Sequence, residues 1–413
     1  MPTQSLSKVL SGRLDEMGRS GRLKGRETVL RAVIPAHDDV GPRYLVEGEG
    51  EKPFLRMNSN SYLGMALRSE IVSAEEQAAT RFGTGPGAVR FISGTWSPHV
   101  ALERRLAAFH GRASAMLFSS AYAAVMGLIP PLVTDKTAVI SDELNHNCII
   151  NAIALARPAE KRVYKHLDTG ELERHLEEVS NKCSRAIVVT DGVFSMRGDH
   201  APLDRIMTLV RAHDKAFAEN AIVVVDDSHG VGAFGKTGRG TEEYTASGPA
   251  DLLVATLGKA LGVNGGYVVA DEAVIRYLRE TSPFYVYSNP ITPAEAAAAH
   301  KAIDTLDGSI GTSLLTHLRA MTARFKIGLT ELGFETLPGP HPVVPVILRD
   351  TARTSSLAAH LRQEGILATG LNYPVVPKGD EEIRFQISAD HTAADIDSAL
   401  QALARFARRS LVQ

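Results

Sequence analysis

Short apolar runs alternate with amphipathic stretches through the middle of this chain, and this alternation constrains the fold more than any other feature. Apolar residues recur at helical spacing at Leu172, Leu176 and Val179, and again across residues 203–210. The strand-like runs are residues 115–118, 137–140, 162–164, 186–190, 221–225, 252–255 and 266–270. The pattern predicts an α/β fold whose mainly parallel seven-stranded sheet is covered by helices on both faces. The last run follows its predecessor too closely for a helical crossover, so we expect it to be antiparallel.

The chain is long enough for more than one domain. Its 413 residues exceed the size that one compact core usually serves. After residue 290 an alanine-rich helix (293–306) leads to strands at 343–348 and 383–387 and helices at 355–363 and 393–406. We therefore predict an N-terminal arm (1–57), a large α/β domain (58–290) and a smaller α+β domain (291–413). Most of residues 1–50, including a basic cluster around Lys24, is expected to be a solvated arm.

Composition excludes several classes of protein. The formal net charge of −2 argues against a nucleic-acid or membrane-surface protein, so small molecules or another protein chain are the expected partners. Cys148 and Cys183 have no CxxC spacing, which predicts neither a disulfide framework nor a metal site and favours a reducing, cytoplasmic location. The N-terminus lacks the apolar core of a signal peptide. No apolar run reaches the roughly 18 residues of a membrane span.

One lysine follows directly after a predicted strand. Residues 251–266 read DLLVATLGKALGVNGG, in which Lys259 comes three residues after the apolar run and is flanked by leucine, alanine and glycine. Apolar neighbours disfavour the ammonium form, which suits an amine nucleophile or a Schiff-base former. The alternative is an ordinary lysine that extends its charged end into solvent.

Polar residues also follow the other predicted strands. They occur at residues 119–122 (SSAY), 142–146 (DELNH), 191–195 (DGVFS) and 226–229 (DDSH). Ligands bind at the carboxyl ends of the strands in open parallel sheets. His146 alone is more often a buried, hydrogen-bonded histidine, and Asp226 alone could cap a turn. Together, Lys259, Asp226, two histidines (146 and 229) and the helix start at 119–122 predict a site for pyridoxal 5′-phosphate (PLP).

A rival motif lies nearby. Residues 230–237 (GVGAFGKT) fit the phosphate-loop pattern of nucleoside triphosphatases, with Lys236 as its lysine. Such a loop should run directly into a helix, but here GRG and a polar stretch follow. A P-loop nucleotide hydrolase is therefore only a remote alternative.

Several motifs together resemble one known family. They are residues 60–64 (NSYLG), 90–95 (RFISGT), 145–146 (NH), 190–196 (TDGVFSM), 225–229 (VDDSH), 238–240 (GRG) and 256–260 (TLGKA). From about residue 58 to the C-terminal helix the chain resembles the α-oxoamine synthases, PLP-dependent enzymes of fold type I. Residues 373–379 (YPVVPKG) are most similar to the 2-amino-3-ketobutyrate coenzyme A ligases, or glycine C-acetyltransferases. The resemblance implies a homodimer with its active site at the subunit interface.

The resemblance also implies a role for each matching residue. Lys259 would form the Schiff base with PLP and remove the proton from Cα, while Asp226 would pair with the pyridine nitrogen. His146 would stack on the ring, and His229 and Ser195 would lie near the phenolic oxygen. The other implied contacts are Ser120, Ala121, Tyr122 and Thr256 to the phosphate, Ser288 and Asn289 to the phosphate from a second subunit, and Asn60 and Arg384 to the substrate carboxylate.

The implied reaction joins an amino acid such as glycine to an acyl-CoA thioester, with or without loss of carbon dioxide. The alternative is a PLP-dependent lyase or aldolase that acts at Cα without coenzyme A. Some positions depart from the pattern of the family: Trp96, Val125 with Met126, and Asn147 with Cys148. We expect Trp96 and Met126 to contact the substrate and to influence which acyl donor is accepted.

Overall fold

A computed structural model describes residues 1–20, 22–23, 25–373 and 375–410. Lys24 of the basic cluster and Pro374 of the 373–379 motif lie outside the described residues. The strands, in chain order, are β1 (Leu30–Ile34), β2 (Arg43–Val46), β3 (Pro53–Arg56), β4 (Ser114–Phe118), β5 (Thr137–Asp142), β6 (Glu160–Tyr164), β7 (Arg185–Asp191), β8 (Asn220–Asp226), β9 (Leu252–Thr256), β10 (Gly266–Ala270), β11 (Glu335–Thr336), β12 (Val343–Ile347), β13 (Ile366–Leu367), β14 (Thr369–Leu371) and β15 (Glu382–Gln386).

The helices connect and cover these strands. In chain order they are α1 (Pro2–Arg19), α2 (Ser69–Phe82), α3 (Ser97–Phe109), α4 (Ala121–Leu132), α5 (Asn147–Ala156), α6 (Thr169–Ser180), α7 (Leu203–His213), α8 (Thr241–Thr245), α9 (Glu272–Thr281), α10 (Pro283–Val286), α11 (Pro293–Leu306), α12 (Ser309–Glu331), α13 (Thr351–Gln363) and α14 (Ala393–Ser410). None of the helices within the described residues combines the length and the apolar character that crossing a bilayer requires.

The chain divides into two compact units. The large unit comprises residues 60–320 and 339–342, and the small unit comprises residues 1–59, 321–338 and 343–413. This grouping differs from the predicted parts 1–57, 58–290 and 291–413. The N-terminal segment joins the C-terminal residues because β3 pairs in parallel with β13. Helix α11 joins the large unit because it packs against α2 and α3.

The seven strands of the large unit form one sheet in the order β4-β10-β9-β8-β7-β5-β6. Strand β10 is antiparallel to both of its neighbours, β4 and β9. The other strands run in one direction. This arrangement confirms the predicted fold class and the predicted antiparallel strand.

Helices cover both faces of this sheet. On one face, residues of α4, α5 and α9 such as Val125, Ile149 and Ile275 pack against the strands. On the other face, α6 and α7 contribute Leu172 and Val210. Successive strand residues alternate between these two clusters, as the pleat requires. Because both faces are buried, the polar residues of the strands are concentrated at the strand ends.

The small unit contains two four-stranded sheets. Their strand orders are β1-β2-β3-β13 and β11-β12-β15-β14. Helix α1 has no buried residue, whereas the N-terminal segment from Leu30 onwards forms paired strands. The chain from β1 to β3 is ordered because its strands pair with one another and with β13. Arg384 lies on β15, where its backbone pairs with Pro345 of β12 and Thr369 of β14.

Helix α3 begins one residue earlier than its local sequence suggests. A serine before a proline is typical of a cap position, but Ser97 is the first helical residue and Trp96 occupies the cap position. The backbone N–H of Trp96 donates to Nδ1 of His99 at 3.1 Å, so a side chain of the first helical turn bonds back to the cap residue.

Gly266 permits the sheet and helix α4 to approach each other closely. It begins β10 and pairs with Phe118 and Thr256 on either side. A Cβ atom built on this residue would run into the backbone of Ser120 and Ala121, at the start of α4. Only glycine fits here without a shift of the backbone.

We predict that Gly266→Ala destabilises the large unit by about 3 kcal/mol, because the added methyl group has to displace backbone atoms and not a flexible side chain. Urea unfolding followed by circular dichroism would measure the change. Gly85→Ala is the matched control, since a Cβ at Gly85 meets nothing within 4 Å. Equal stabilities of the two variants would contradict the prediction.

Candidate active site

A cavity of about 230 Å³ opens at the carboxyl edge of the large unit's sheet. The residues that line it come from the ends of β4, β5, β7, β8 and β9 and from the loops that follow. They are Ser120, Ala121, Tyr122, His146, Cys148, Asp191, Val193, Ser195, Asp226, Ser228, His229, Thr256 and Lys259. The structure thus brings together every residue predicted to be catalytic and every residue predicted to bind the cofactor within one subunit.

Lys259 is held by a compact turn after β9. The Leu257 N–H donates to the carbonyl of Gly265 at 2.9 Å, and the Thr256 hydroxyl donates to the same carbonyl at 3.1 Å. The Thr256 oxygen also accepts from Gly258 N at 3.0 Å. These bonds fix both ends of the loop, so the half-buried Lys259 is presented to the cavity from a rigid base.

Two carboxyl groups lie side by side at the ends of β7 and β8. Asp191 and Asp226 are direct register partners, and both are almost fully buried. One Asp226 oxygen accepts from Ser228 N at 3.1 Å. Asp191 accepts from His146 N at 2.9 Å. Burial and the neighbouring charge of Asp226 raise the pKa of Asp191 well above its ordinary value, which favours the protonated form of Asp191.

His146 presents a neutral imidazole to the cavity. It caps the N-terminus of α5, where its Nδ1 accepts from the Cys148 N–H at 3.2 Å. An Nδ1 that accepts cannot carry a proton, so the proton of the neutral ring is on Nε2. Burial lowers the pKa of His146 and the positive charge of Lys259 lowers it further, against the opposing effect of Asp226. A flat, uncharged ring at this position suits stacking against an aromatic ligand.

The start of helix α4 forms an anion site. Ser120 caps the helix through its hydroxyl oxygen, which accepts from Ala123 N at 3.0 Å. The N–H groups of the first helical residues, Ala121 and Tyr122, have no acceptor within an α-helix. Both residues line the cavity, so their N–H groups and the helix dipole are available for a phosphate there.

His229 is connected to the NSYLG motif. Its Nδ1 lies 2.7 Å from the hydroxyl of Tyr62, whose side chain is fully buried. The same hydroxyl lies 3.3 Å from Oδ1 of Asn60. The backbone carbonyl of His229 accepts from His341 Nε2 at 2.9 Å. Asn60 does not line the cavity itself but is linked to it through Tyr62.

Trp96 and Met126, the other predicted substrate residues of the large unit, do not line this cavity. Met126 and Val125 are on the buried side of α4, where Val125 is part of the core cluster and Met126 packs against it. Trp96 packs edge-on against Phe82, and its Nε1 donates to the carbonyl of Pro86 at 3.0 Å. Arg384 belongs to the small unit. The bulky pair at 125–126 therefore fills the core and does not narrow this cavity.

Ser288 and Asn289 follow the short helix α10 and do not line the cavity of this chain. Their assignment to the site of a second subunit stays a prediction.

Four further cavity residues were not on the predicted list: Cys148, Asp191, Val193 and Ser228. Three of them lie in strand-end segments that the sequence had already singled out. Cys148 lies two residues beyond His146, in the first turn of α5, and the sequence had marked it only as a departure from the pattern of the family.

The phosphate-loop motif has a different structure from a P-loop. After residues 230–237 the next helix, α8, begins only at Thr241 and is five residues long. The N–H and hydroxyl of Thr237 both donate to the carboxylate of Glu243. Both donors of the threonine that ends the motif are thus bonded to an acid, and N–H groups of Gly232, Ala233 and Phe234 donate to backbone carbonyls.

The groups that line the cavity match the chemistry of PLP. An amine, a carboxylate, a flat neutral imidazole and a helix N-terminus face one space, which is the set that an aldehyde, a pyridine nitrogen, an aromatic ring and a phosphate require. In addition, the buried hydroxyl of Ser228 has no hydrogen-bond partner among the residues that the structure describes. A buried polar atom without a partner is costly, and a ligand in the cavity would remove that cost.

Comparisons with known proteins identify relatives along nearly the whole chain. The family "Aminotransferase class I and II" matches residues 52–403. The mitochondrial 2-amino-3-ketobutyrate coenzyme A ligase of Homo sapiens is 38% identical over 402 residues, which cover 97% of this chain and 92% of that protein. The 8-amino-7-oxononanoate synthase of Thermosipho melanesiensis is 38% identical over 359 residues, covering 87% and 89%.

Solved structures agree with these relatives. A serine palmitoyltransferase of Sphingomonas wittichii superposes with a TM-score of 0.85 at 25% identity, covering 99% of this chain and 98% of that chain. A high-resolution structure of SPT with its PLP internal aldimine gives a TM-score of 0.86 at 25% identity and 99% coverage of both chains. The chain therefore belongs to the aminotransferase class I and II family and, within it, to the PLP-dependent α-oxoamine synthases, as its motifs predicted.

Proposed function

We propose that this protein is a PLP-dependent acyltransferase that condenses glycine or another small α-amino acid with an acyl-CoA thioester. A carbon–carbon bond forms between Cα and the acyl carbon, the carbon–sulfur bond breaks, and coenzyme A leaves as the free thiol. The product is a β-keto amino acid or, after loss of carbon dioxide, an α-amino ketone. The observation that carries the proposal is that Lys259, Asp226 and His146 line one cavity with the start of α4.

Each group of this cavity has one part of the cofactor to hold. The N–H groups of Ala121 and Tyr122, with the hydroxyls of Ser120 and Thr256, would bind the phosphate. Asp226 would accept the hydrogen bond of the ring nitrogen. The imidazole of His146 would cover one face of the ring, and His229 and Ser195 would lie at the phenolic oxygen. When bound, PLP supplies an electron sink for the charge left at Cα after deprotonation.

The protein's own residues control protons and orientation. The amine of Lys259 takes the proton from Cα, and its rigid turn keeps that amine at a fixed position in the site. The carboxylate of Asp226 stabilises a proton on the ring nitrogen. Burial and the charge of Asp226 raise the pKa of Asp191, so Asp191 holds its proton more tightly than an ordinary carboxyl group does. Asn60 and Arg384 are proposed to bind the carboxylate of the amino acid, Arg384 through its two-pronged guanidinium group.

We also propose that the enzyme is a homodimer located in the cytoplasm, with its active site at the subunit interface. The exposed Tyr287, which precedes Ser288 and Asn289, and the exposed Phe91 support a protein contact at these loops. Two buried free cysteines support a reducing location.

We predict that the purified protein binds PLP and is yellow. After borohydride reduction, Lys259 should carry the reduced cofactor as a covalent label. Lys259→Ala should abolish both the labelling and the activity, because no other lysine of the described part of the chain lines the cavity. Peptide mapping by mass spectrometry makes the measurement. Lys236→Ala is the control and should keep the label and the activity. Lys236 does not line the cavity, and the next residue of its loop, Thr237, is bonded to Glu243. A colourless protein that fails to take up PLP would overturn the proposed function.

Incubation of the holoenzyme with glycine and a panel of acyl-CoA thioesters should release free thiol with at least one donor. Thiol release is followed with a chromogenic disulfide, and the product is identified by mass spectrometry. One control reaction omits the amino acid, and a second replaces the wild type by Lys259→Ala; neither should release thiol. Turnover of an amino acid without thiol release from any donor would favour the lyase or aldolase instead.

Subunit mixing tests the shared active site. Asn289→Asp places a negative charge where the partner's phosphate is expected, so PLP affinity should fall although residue 289 does not line the cavity of its own chain. Co-expression with Lys259→Ala should restore activity to about one quarter of the wild-type value per site, because half of the dimers are hybrids with one intact site each. Monomers in sedimentation, or mixed dimers without activity, would contradict the proposal.

A further inference from the structure

Cys148 lies between two of the groups that the proposed function uses. It is the second residue of α5, its side chain is 1% exposed, and it contributes to the wall of the cavity. Its sulfur is 3.0 Å from Nδ1 of His146 and 3.6 Å from Oδ2 of Asp226. Cys148 therefore contacts both a residue at a helix N-terminus and a residue at a strand end.

The direction of these hydrogen bonds follows from the donors present. The single lone pair of His146 Nδ1 already accepts from the backbone N–H of Cys148, so Nδ1 has no proton to give to the sulfur and no second lone pair to accept the thiol proton. The carboxylate of Asp226 can only accept. The thiol proton is therefore directed to Asp226, as a hydrogen bond to a charged acceptor. Because Ser228 N donates to the other oxygen, both oxygens of Asp226 are held.

Cys148 remains a thiol in this environment. Burial raises its pKa, and the charges of Asp226 and Asp191 raise it further. Only the thiolate is a good nucleophile, so Cys148 is not suited to accept an acyl group itself. Any contribution to the reaction has to come through its neighbours.

We propose that Cys148 is a positioning residue that joins the carboxylate of Asp226 and the imidazole of His146 into one rigid unit. The backbone N–H of Cys148 fixes the tautomer of His146, and the thiol fixes the plane of the Asp226 carboxylate. The proposal rests on the proposed function, in which Asp226 faces the ring nitrogen and His146 covers the ring. With both groups fixed before binding, the cofactor is bound without a loss of side-chain freedom at these two residues.

The S–H stretching band in the infrared tests the bridge directly, with or without PLP. Cys183→Ser leaves Cys148 as the only thiol, and Cys148→Ser leaves Cys183, which packs in the apolar cluster on the other face of the sheet. We expect the Cys148 band to be broader and at lower wavenumber than the Cys183 band. Asp226→Asn should narrow and raise it. Matching bands for the two thiols, or no response to Asp226→Asn, would overturn the bridge.

Cofactor binding tests the consequence. Cys148→Ala should raise the PLP dissociation constant about 3- to 10-fold. It should also move the pH midpoint of the visible band upward, because a less well supported Asp226 leaves less positive charge on the ring nitrogen. The titratable groups around the thiol are Asp226, Asp191, Lys259 and His146. Cys148→Ser keeps a donor and should lie between the wild type and the alanine variant, while Cys183→Ala should match the wild type.

The outcomes are distinguishable. A lower thermal stability of Cys148→Ala with an unchanged dissociation constant and midpoint would assign only a packing role and overturn the proposal. If the alanine variant does not fold, the pH midpoint of Cys148→Ser and the S–H bands of the two thiols test the proposal instead. A wild-type midpoint of Cys148→Ser together with matching S–H bands of Cys148 and Cys183 would overturn the proposal. Failure of the wild type to bind PLP would instead defeat the proposed function, while the infrared bands would still test the bridge.

Discussion

The pairing of β7, β8 and β9 fixes the whole candidate site. Asp191 lies opposite Asp226, and Asp226 lies opposite Val254, two residues before the strand ends at Thr256. Because side chains alternate across a sheet, a slip of one residue in β8 would turn Asp226 to the other face. Burial on both faces forbids such a slip, since it would exchange every core valine of β8. The apolar core therefore sets the position of the acid to within one residue.

This arrangement is costly for the isolated protein. Two buried carboxyl groups side by side repel each other when both are charged, and each loses its hydration. Backbone N–H groups of Ser228 and His146 and the thiol of Cys148 offset part of that cost. The carboxyl of Asp191 avoids the rest by favouring its protonated form. A polar site of this kind is retained for a ligand that needs the remaining charge.

Asp227, which follows Asp226 in the chain, explains why several positions around it are glycine. Asp227 is fully buried and accepts from the N–H and hydroxyl of Thr241 at 2.7 and 2.6 Å. A Cβ on Gly192, Gly230 or Gly240 would collide with its carboxylate. Burial raises the pKa of Asp227 to about 7. The charges of Glu242 and Asp226 also raise this pKa, while the hydrogen bonds from Thr241 lower it. Gly240 of the GRG motif therefore leaves room for the buried carboxylate of Asp227. Gly230 of the segment that resembles a phosphate loop is explained in the same way.

Local patterns predicted the site better than they predicted the boundaries of the fold. Strand periodicity located Asp226 and Lys259 at strand ends, and parallel topology then required those ends to meet. The pairing of β3 with β13 joins residues about 310 positions apart, which no local period reveals, so residues 30–50 looked like part of a solvated arm. Val125 and Met126 looked like wall residues because the sequence does not say which side of α4 faces the sheet.

The contacts of Cys148 are a second case that local sequence patterns do not predict, because they depend on the order of the strands in the sheet. The position of Cys148 is set by two elements at once, the start of α5 and the end of β8, and the sequence separates them by 78 residues. Only the strand order, in which β5 and β8 both flank β7, brings the two ends within reach of one thiol. The apolar sheet, and not a local motif, therefore determines that the imidazole and the carboxylate face one cavity with a proton donor between them.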